Sequence, residues 1–168
     1  MRIAVFGLGY VGCVTGACLA KMGHTVCGVD ISAAKVRQVN SGHAPVQEKG
    51  LEALVSRMAA AGKLRATLDP AEALQRAEVS LVTVGTPSRR DGSVNLDHVV
   101  AALQGIGRAL SAARNFHVVV VRSTIPPGTT ENLVIPTLER ASRRTAGSDF
   151  GVCFHPEFFC SVITESIT

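Results

Sequence analysis

Three glycines near the start of the chain are spaced so that a backbone turn can approach an anion: Gly7, Gly9 and Gly12 in the run Gly7-Leu8-Gly9-Tyr10-Val11-Gly12. The run follows the short apolar segment Ile3 to Phe6 and opens a small-residue helical stretch from about Tyr10 to Met22. That order reads as strand, tight turn, helix. Gly7 permits the turn, Gly9 lets the backbone come close to a diphosphate, and Gly12 lets the helix lie against the strand. The diphosphate would rest on N–H groups at the positive end of the helix dipole. A second apolar run, Thr25 to Val29, ends in Asp30, 23 residues after Gly7. A carboxylate there accepts hydrogen bonds from both hydroxyls of an adenosine ribose and repels a 2′-phosphate. Lys35, one helical turn on, is within reach of the same ribose. Together these residues describe a dinucleotide site, for NAD in preference to NADP.

The rest of the chain supplies elements to hold such a turn. Ser32 is placed to cap a helix, and Gly50 to Ala61 has a helical pattern. Leu64 to Leu68 reads as a short strand. Asp69-Pro70, with Glu72 three positions after the aspartate, marks another helix start. The β-branched runs Val79 to Val84 and Val118 to Val121 have the character of strands covered on both faces, and a long helical pattern, Leu96 to Ala113, lies between them. After Ser123-Thr124, the turn Pro126-Pro127-Gly128 leads into a helix ending near Arg144, and Phe150 to Phe154 forms a last strand. About six strands alternating with helices make an α/β domain: a doubly wound parallel sheet of the Rossmann type, with right-handed crossovers and helices on both faces.

Composition is consistent with one domain and excludes several function classes. The 168 residues are 46% hydrophobic and 18% charged, enough for a single compact core. Six phenylalanines, one tyrosine and no tryptophan give no stacking surface for nucleic acid. The net charge of +4 comes from scattered residues, with only Arg89-Arg90 and Arg143-Arg144 adjacent, and is read as solvated surface. Five cysteines without CxxC or Cys/His spacing are expected to be free thiols, with Cys13, Cys18 and Cys27 in buried helix or strand, and no metal site is expected. Met1-Arg2 leads straight into an apolar strand, and no apolar run approaches the roughly eighteen residues of a membrane span. The expectation is a soluble, cytoplasmic protein without a membrane partner.

Further motifs go beyond the fold, which alone does not name a reaction. Phe6-Gly7-Leu8-Gly9-Tyr10-Val11-Gly12, Gly28-Val29-Asp30, Gly50-Leu51-Glu52, Val84-Gly85-Thr86-Pro87, Val121-Arg122-Ser123-Thr124, Pro127-Gly128-Thr129 and His155-Pro156-Glu157-Phe158 stand in this order. The chain thereby resembles the N-terminal NAD-binding domain of the UDP-glucose/GDP-mannose 6-dehydrogenases over residues 1 to about 158. The segment Ala146 to Val152 and the loop Thr86 to Gly92 look more like the GDP-mannose enzymes that supply mannuronic acid for alginate.

The resemblance implies two NAD-dependent oxidations of a sugar C6 alcohol on a nucleotide-sugar substrate, GDP-mannose or UDP-glucose. A cysteine captures the aldehyde, and water cleaves the resulting thioester. Carried over by position, Gly7, Gly9, Gly12 and the backbone of Tyr10 and Val11 hold the pyrophosphate, and Asp30 and Lys35 hold the ribose. Thr86 and Thr124 lie near the nicotinamide, with Thr124 also a catalytic candidate. Glu157 would act as base or anchor for the hydrolytic water. All these loops follow the carboxyl ends of strands, where open parallel sheets bind ligands.

The sequence also departs from the family pattern. His155 replaces an asparagine or serine, Cys160 stands where relatives have arginine, and Ser161 replaces a substrate-contacting glutamate. Residues 159–168 form a divergent tail beyond the NAD-binding domain at 1–158. The connecting helix, the catalytic cysteine and the sugar-nucleotide domain that the resemblance implies are not in the sequence, as in a shortened or frameshifted reading frame. The expectation is therefore a chain that binds NAD without oxidising sugar; the alternative is a stand-alone or vestigial NAD-binding module. Relatives dimerise largely through the connecting helix, which leaves this chain monomeric or prone to associate through exposed apolar surface.

Overall fold

The computed structural model describes residues 1–113 and 115–156. The strands are β1 (Arg2–Phe6), β2 (Thr25–Val29), β3 (Leu64–Thr67), β4 (Val79–Val82), β5 (Val118–Val121) and β6 (Gly151–Phe154). The α-helices are α1 (Tyr10–Lys21), α2 (Ala33–Asn40), α3 (Leu51–Ala60), α4 (Pro70–Leu74), α5 (Asp97–Leu110) and α6 (Ile135–Ser142). The strands form one six-stranded sheet in the order β3-β2-β1-β4-β5-β6, parallel at every pairing. The chain winds outward from β1 to β3, then returns to β4 on the other side of β1. The expected doubly wound α/β fold is present, and its crevice lies between β1 and β4.

Alternation along the strands sorts the core into two halves. Ala4 and Phe6 of β1 face a cluster completed by Leu74 of α4, Val99, Leu103 and Ile106 of α5, and Leu138 of α6. Ile3 and Val5 face a cluster built from Cys13 and Ala17 of α1, Val36 and Val39 of α2, and Val55 of α3. The period of two along an extended strand makes this sorting possible. On β5, Val119 and Val121 are buried while Val118 and Val120 are only half-buried. The expected cover on both faces is thus only partial on one of them: the second cluster is centred on β1, β2 and β3 and contains no residue of β5.

Several ends differ from the sequence reading for identifiable reasons. β4 stops at Val82, because Thr83 turns its hydroxyl to donate to the carbonyls of Phe6 and Gly7, at 2.8 and 3.0 Å. α5 ends at Leu110, short of Ala113. Asp69 caps α4 by accepting from Ala71 N at 2.9 Å. Glu72 does not reach back to close a capping box: its carboxylate accepts from Thr67 Oγ1 and pairs with Arg65, while Asp69 N donates to Thr67 Oγ1. The helix after the Pro-Pro-Gly turn begins as a π-helical segment, Thr130–Val134, before α6. Pro136 in the first turn of α6 has no N–H to give to a preceding carbonyl, and the wider turn accommodates that loss. α6 stops at Ser142, since Arg143 takes a left-handed conformation (φ 56°). At the β3 edge, Asn40 grips Ala66 through both amide atoms, donating to its carbonyl at 2.9 Å and accepting from its N–H at 2.7 Å.

One buried polar pair joins β4 to the start of β5. His117 Nε2 lies 2.8 Å from Ser80 Oγ, and its Nδ1 lies 3.1 Å from Ala77 O. A neutral ring that donates through Nδ1 and accepts the serine proton at Nε2 satisfies both contacts. Burial pushes the imidazole pKa below its ordinary value. Unfolded His117 therefore takes up a proton at higher pH than folded His117. Its contribution to stability is complete above about pH 6.5 and is lost as the pH falls toward the lowered pKa. His117→Gln should cost about 1–3 kcal/mol at neutral pH and remove that share of the acid loss. Urea unfolding at about pH 8 and about pH 5 checks this; identical acid losses in both proteins would refute it.

Candidate dinucleotide site

The site begins with the distance between α1 and the turn that precedes it. Gly7 has φ +97°, a conformation open to glycine, and donates its N–H to Val29 O at 2.7 Å. A Cβ on Gly12 would lie 1.8 Å from Gly7 O and 2.5 Å from Thr83 Oγ1, so no side chain fits there. At Gly9 the same construction meets nothing within 4 Å, so this face of the turn is open. Gly9 is the N-cap of α1 and no side chain caps the helix; its first turn also has no acidic residue. The other helices of the β1–β3 side differ: α2 is capped by Ser32, and α3 has Glu52 in its first turn. The positive end of α1 is thus left to an external anion, which fits the diphosphate of a dinucleotide.

Asp30 is fixed at the end of β2. Its Oδ2 accepts from Leu8 N at 2.7 Å and its Oδ1 from Ser32 N at 2.8 Å. Lys35 Nζ lies 3.6 Å from Oδ2. The carboxylate therefore ties the glycine turn to the second strand before any ligand arrives. Two oxygens carry about four acceptor positions, so capacity remains for ribose hydroxyls. The structure thus brings together Gly7, Gly9, Gly12, Asp30 and Lys35. Tyr10 is exposed and Val11 half-buried at the start of α1. Thr86 is half-buried in the loop after β4, and Thr124 is exposed in the loop after β5. Glu157 and the tail, with Cys160 and Ser161, lie outside the described residues.

Other contributors were not found from the sequence. Thr83 binds two carbonyls of the turn, and the only signal was a hydroxyl closing an apolar run. Ser123 Oγ donates to Val84 O at 2.6 Å, joining the loops that carry Thr86 and Thr124. Ile31 and Leu68 are 94% and 53% exposed just past β2 and β3. Apolar residues where turns are normally polar were the available signal. Glu48 accepts a hydrogen bond from the Tyr10 phenol; sequence distance hid that pairing.

The cysteines bring no nucleophile to this site among the described residues. Burial pushes the thiols of Cys13 and Cys27 up to about 11, which keeps them protonated at neutral pH. Cys18 is exposed rather than buried as expected. α1 buries Gly12, Cys13, Gly16, Ala17 and Ala20, and about 100° of rotation per residue carries Cys18 off that face. Cys153 is exposed on β6.

A parallel sheet with a glycine turn at its switch point and a carboxylate closing the second strand defines a dinucleotide-binding domain of the Rossmann class. The chain belongs to the UDP-glucose/GDP-mannose dehydrogenase family, whose NAD-binding domain model matches residues 1–164. It is 49% identical over 158 residues to a GDP-mannose 6-dehydrogenase of Pseudomonas syringae pv. tomato, covering 94% of this chain and 36% of that protein. A UDP-glucose 6-dehydrogenase of Haloferax volcanii is 38% identical over 158 residues, with 94% and 36% covered. Among solved structures, a ternary complex of GDP-mannose dehydrogenase from Pseudomonas aeruginosa superposes with a TM-score of 0.93 at 45% identity, covering 95% of this chain and 37% of that one. The chain spans about a third of the length of the curated relatives it matches, 36% for the first of them. Among the described residues no helix is long and apolar enough to cross a membrane.

The two glycines at the turn should respond to very different degrees. Gly12→Ala must force α1 off the turn and should cost roughly 3 kcal/mol or more. Gly9→Ala, which points into open space, should cost under about 1 kcal/mol. Denaturant unfolding of the two variants decides between this picture and one in which the glycines are interchangeable.

Proposed function

We propose that this chain is the NAD-binding part of a nucleotide-sugar 6-dehydrogenase, with GDP-mannose as the sugar nucleotide. The observation that carries the proposal is the open, uncapped start of α1 beside a carboxylate already fixed at the end of β2. The substrate assignment is supported by identity: 49% to a GDP-mannose 6-dehydrogenase against 38% to a UDP-glucose 6-dehydrogenase over the same length. When bound, NAD would be the hydride acceptor for alcohol oxidation.

In this reading the N–H groups at the start of α1, Tyr10 and Val11 among them, neutralise the pyrophosphate by hydrogen bonding and by the helix dipole. Gly9 keeps that approach clear, while Gly7 and Gly12 hold the turn close to the sheet. Asp30 accepts from the ribose hydroxyls, Lys35 offsets the negative charge beside them, and the exposed apolar side chains of Ile31 and Leu68, just past β2 and β3, receive the adenine. Thr86 and Thr124, held in adjacent loops by Ser123, line the nicotinamide end. Glu157 serves the hydrolytic water. Removing the Asp30 charge should therefore weaken NAD roughly ten- to a hundredfold and narrow the preference over NADP. Calorimetric titration of both coenzymes into wild type and Asp30→Asn measures this. No uptake of NAD by the wild-type chain would overturn the proposal.

A second reading, an NAD-binding module without chemistry of its own, is favoured by one observation. Cys13 and Cys27 are buried and protonated, and none of the four described cysteines hydrogen-bonds to a histidine or carboxylate. The 168-residue chain, given NAD and GDP-mannose, should bind coenzyme and show no growth in NADH absorbance; sustained turnover would exclude this second reading.

A further inference from the structure

Glu48 lies near the end of the loop joining α2 to α3, and its carboxylate accepts a hydrogen bond from the Tyr10 phenol. Tyr10 is the first residue of α1. A side chain 38 positions away in sequence is thus fastened beside the positive helix end where the diphosphate is placed. The loop itself is anchored. Ala44 and Val46 pack on the cluster that contains Val36, Val39, Leu51 and Val55. Glu52 accepts from Ala44 N at 2.8 Å and lies 2.7 Å from His43 Nδ1, and Glu48 also accepts from Lys49 N at 2.9 Å. Ala44, Val46, Gln47, Glu48, Lys49 and Glu52 line an open concavity of about 660 Å³. The bond to Glu48 raises the Tyr10 phenol above its ordinary pKa and holds the Glu48 carboxyl below its own.

We propose that Glu48 is a positioning residue for the cofactor: through Tyr10 it fastens the α2–α3 loop to the first turn of α1, making the loop a side wall of the dinucleotide site. This rests on the reading that NAD lies across that turn. The bond narrows the rotamers open to the exposed Tyr10 ring, and rotamer freedom lost on binding costs free energy. Held by Glu48, the ring is fixed before the coenzyme arrives. The charge on Glu48 itself opposes a nearby pyrophosphate, so the benefit comes from its role as hydrogen-bond acceptor. Glutamine at this position keeps an acceptor and removes the charge.

Four variants test the proposal: Tyr10→Phe, Glu48→Ala, Glu48→Gln and the double variant Tyr10→Phe with Glu48→Ala. Both side chains are exposed, and thermal melts confirm that each variant is folded. NAD titration should show roughly three- to tenfold weaker binding in Tyr10→Phe and in Glu48→Ala, with no further loss in the double variant. Glu48→Gln should restore binding to the wild-type level or tighter. Tyr10 is the only tyrosine and the chain has no tryptophan, so phenolate absorbance reports on this one group. In the coenzyme-free chain its titration midpoint should fall toward the ordinary phenol value in Glu48→Ala. Unchanged NAD affinity in both single variants, additive losses in the double variant, or a midpoint indifferent to Glu48→Ala overturns this proposal alone. Failure of wild type to bind NAD overturns the reading of the site and this proposal with it.

Discussion

The closeness of α1 to the turn before it governs the carboxyl end of this sheet. The 1.8 Å between a notional Gly12 Cβ and Gly7 O leaves no room for any side chain. Because the helix sits that near, its first turn projects over the end of β1. There the next strand in space, β4, belongs to the other half of the winding. Thr83 extends the constraint across the switch point: its hydroxyl bonds the carbonyls on both sides of the β1–turn junction. The crevice is therefore a rigid corner built from three contacts, between α1 and the turn, the turn and β4, and the turn and β2 through Asp30.

That corner is organised before any ligand is present. Asp30 already holds Leu8 N and Ser32 N, and Ser123 already joins the two loops across β4 and β5. Binding then spends little free energy on ordering these protein groups. The electrostatic pattern agrees with that geometry. Capping side chains or first-turn carboxylates stand at the N-termini of α2, α3, α4 and α5; α6 has neither but continues directly from the π-helical segment, so α1 is the bare helix start at the crevice. A helix end left bare in this way on the ligand side of a sheet is better suited to an anion than to water.

Much of the architecture was legible in the sequence because its signals are local or periodic. Continuous apolar and β-branched runs located the strands, and glycine spacing gave the turn. The aspartate closing the second strand could be read by its distance from that turn. The limits of elements were less legible, since they are set by partners far away in sequence. Val79 to Val84 looks like one strand, and only the carbonyls of Phe6 and Gly7 explain why Thr83 leaves it. Glu72 has the right spacing for a capping box, yet Arg65 and Thr67 on the neighbouring strand hold it instead. Cys18 looks as apolar as Cys13, and only the phase of α1 separates them. Within the site, backbone roles followed from residue type. The Tyr10–Glu48 contact and the Ser123 tie depend on the tertiary fold, which no spacing rule reports.

The amide of Asn40 has a consequence at the opposite side of the sheet. An edge strand ordinarily offers unpaired N–H and C=O groups on which another polypeptide can add by hydrogen bonding. In the middle of β3 both groups of Ala66 are already taken by a single side chain that donates to one and accepts from the other. Asn40 thus acts as a one-residue mimic of a neighbouring strand, and a stray chain meeting this flank finds its template blocked. Protection against intermolecular sheet growth on this border is written into the last residue of a helix.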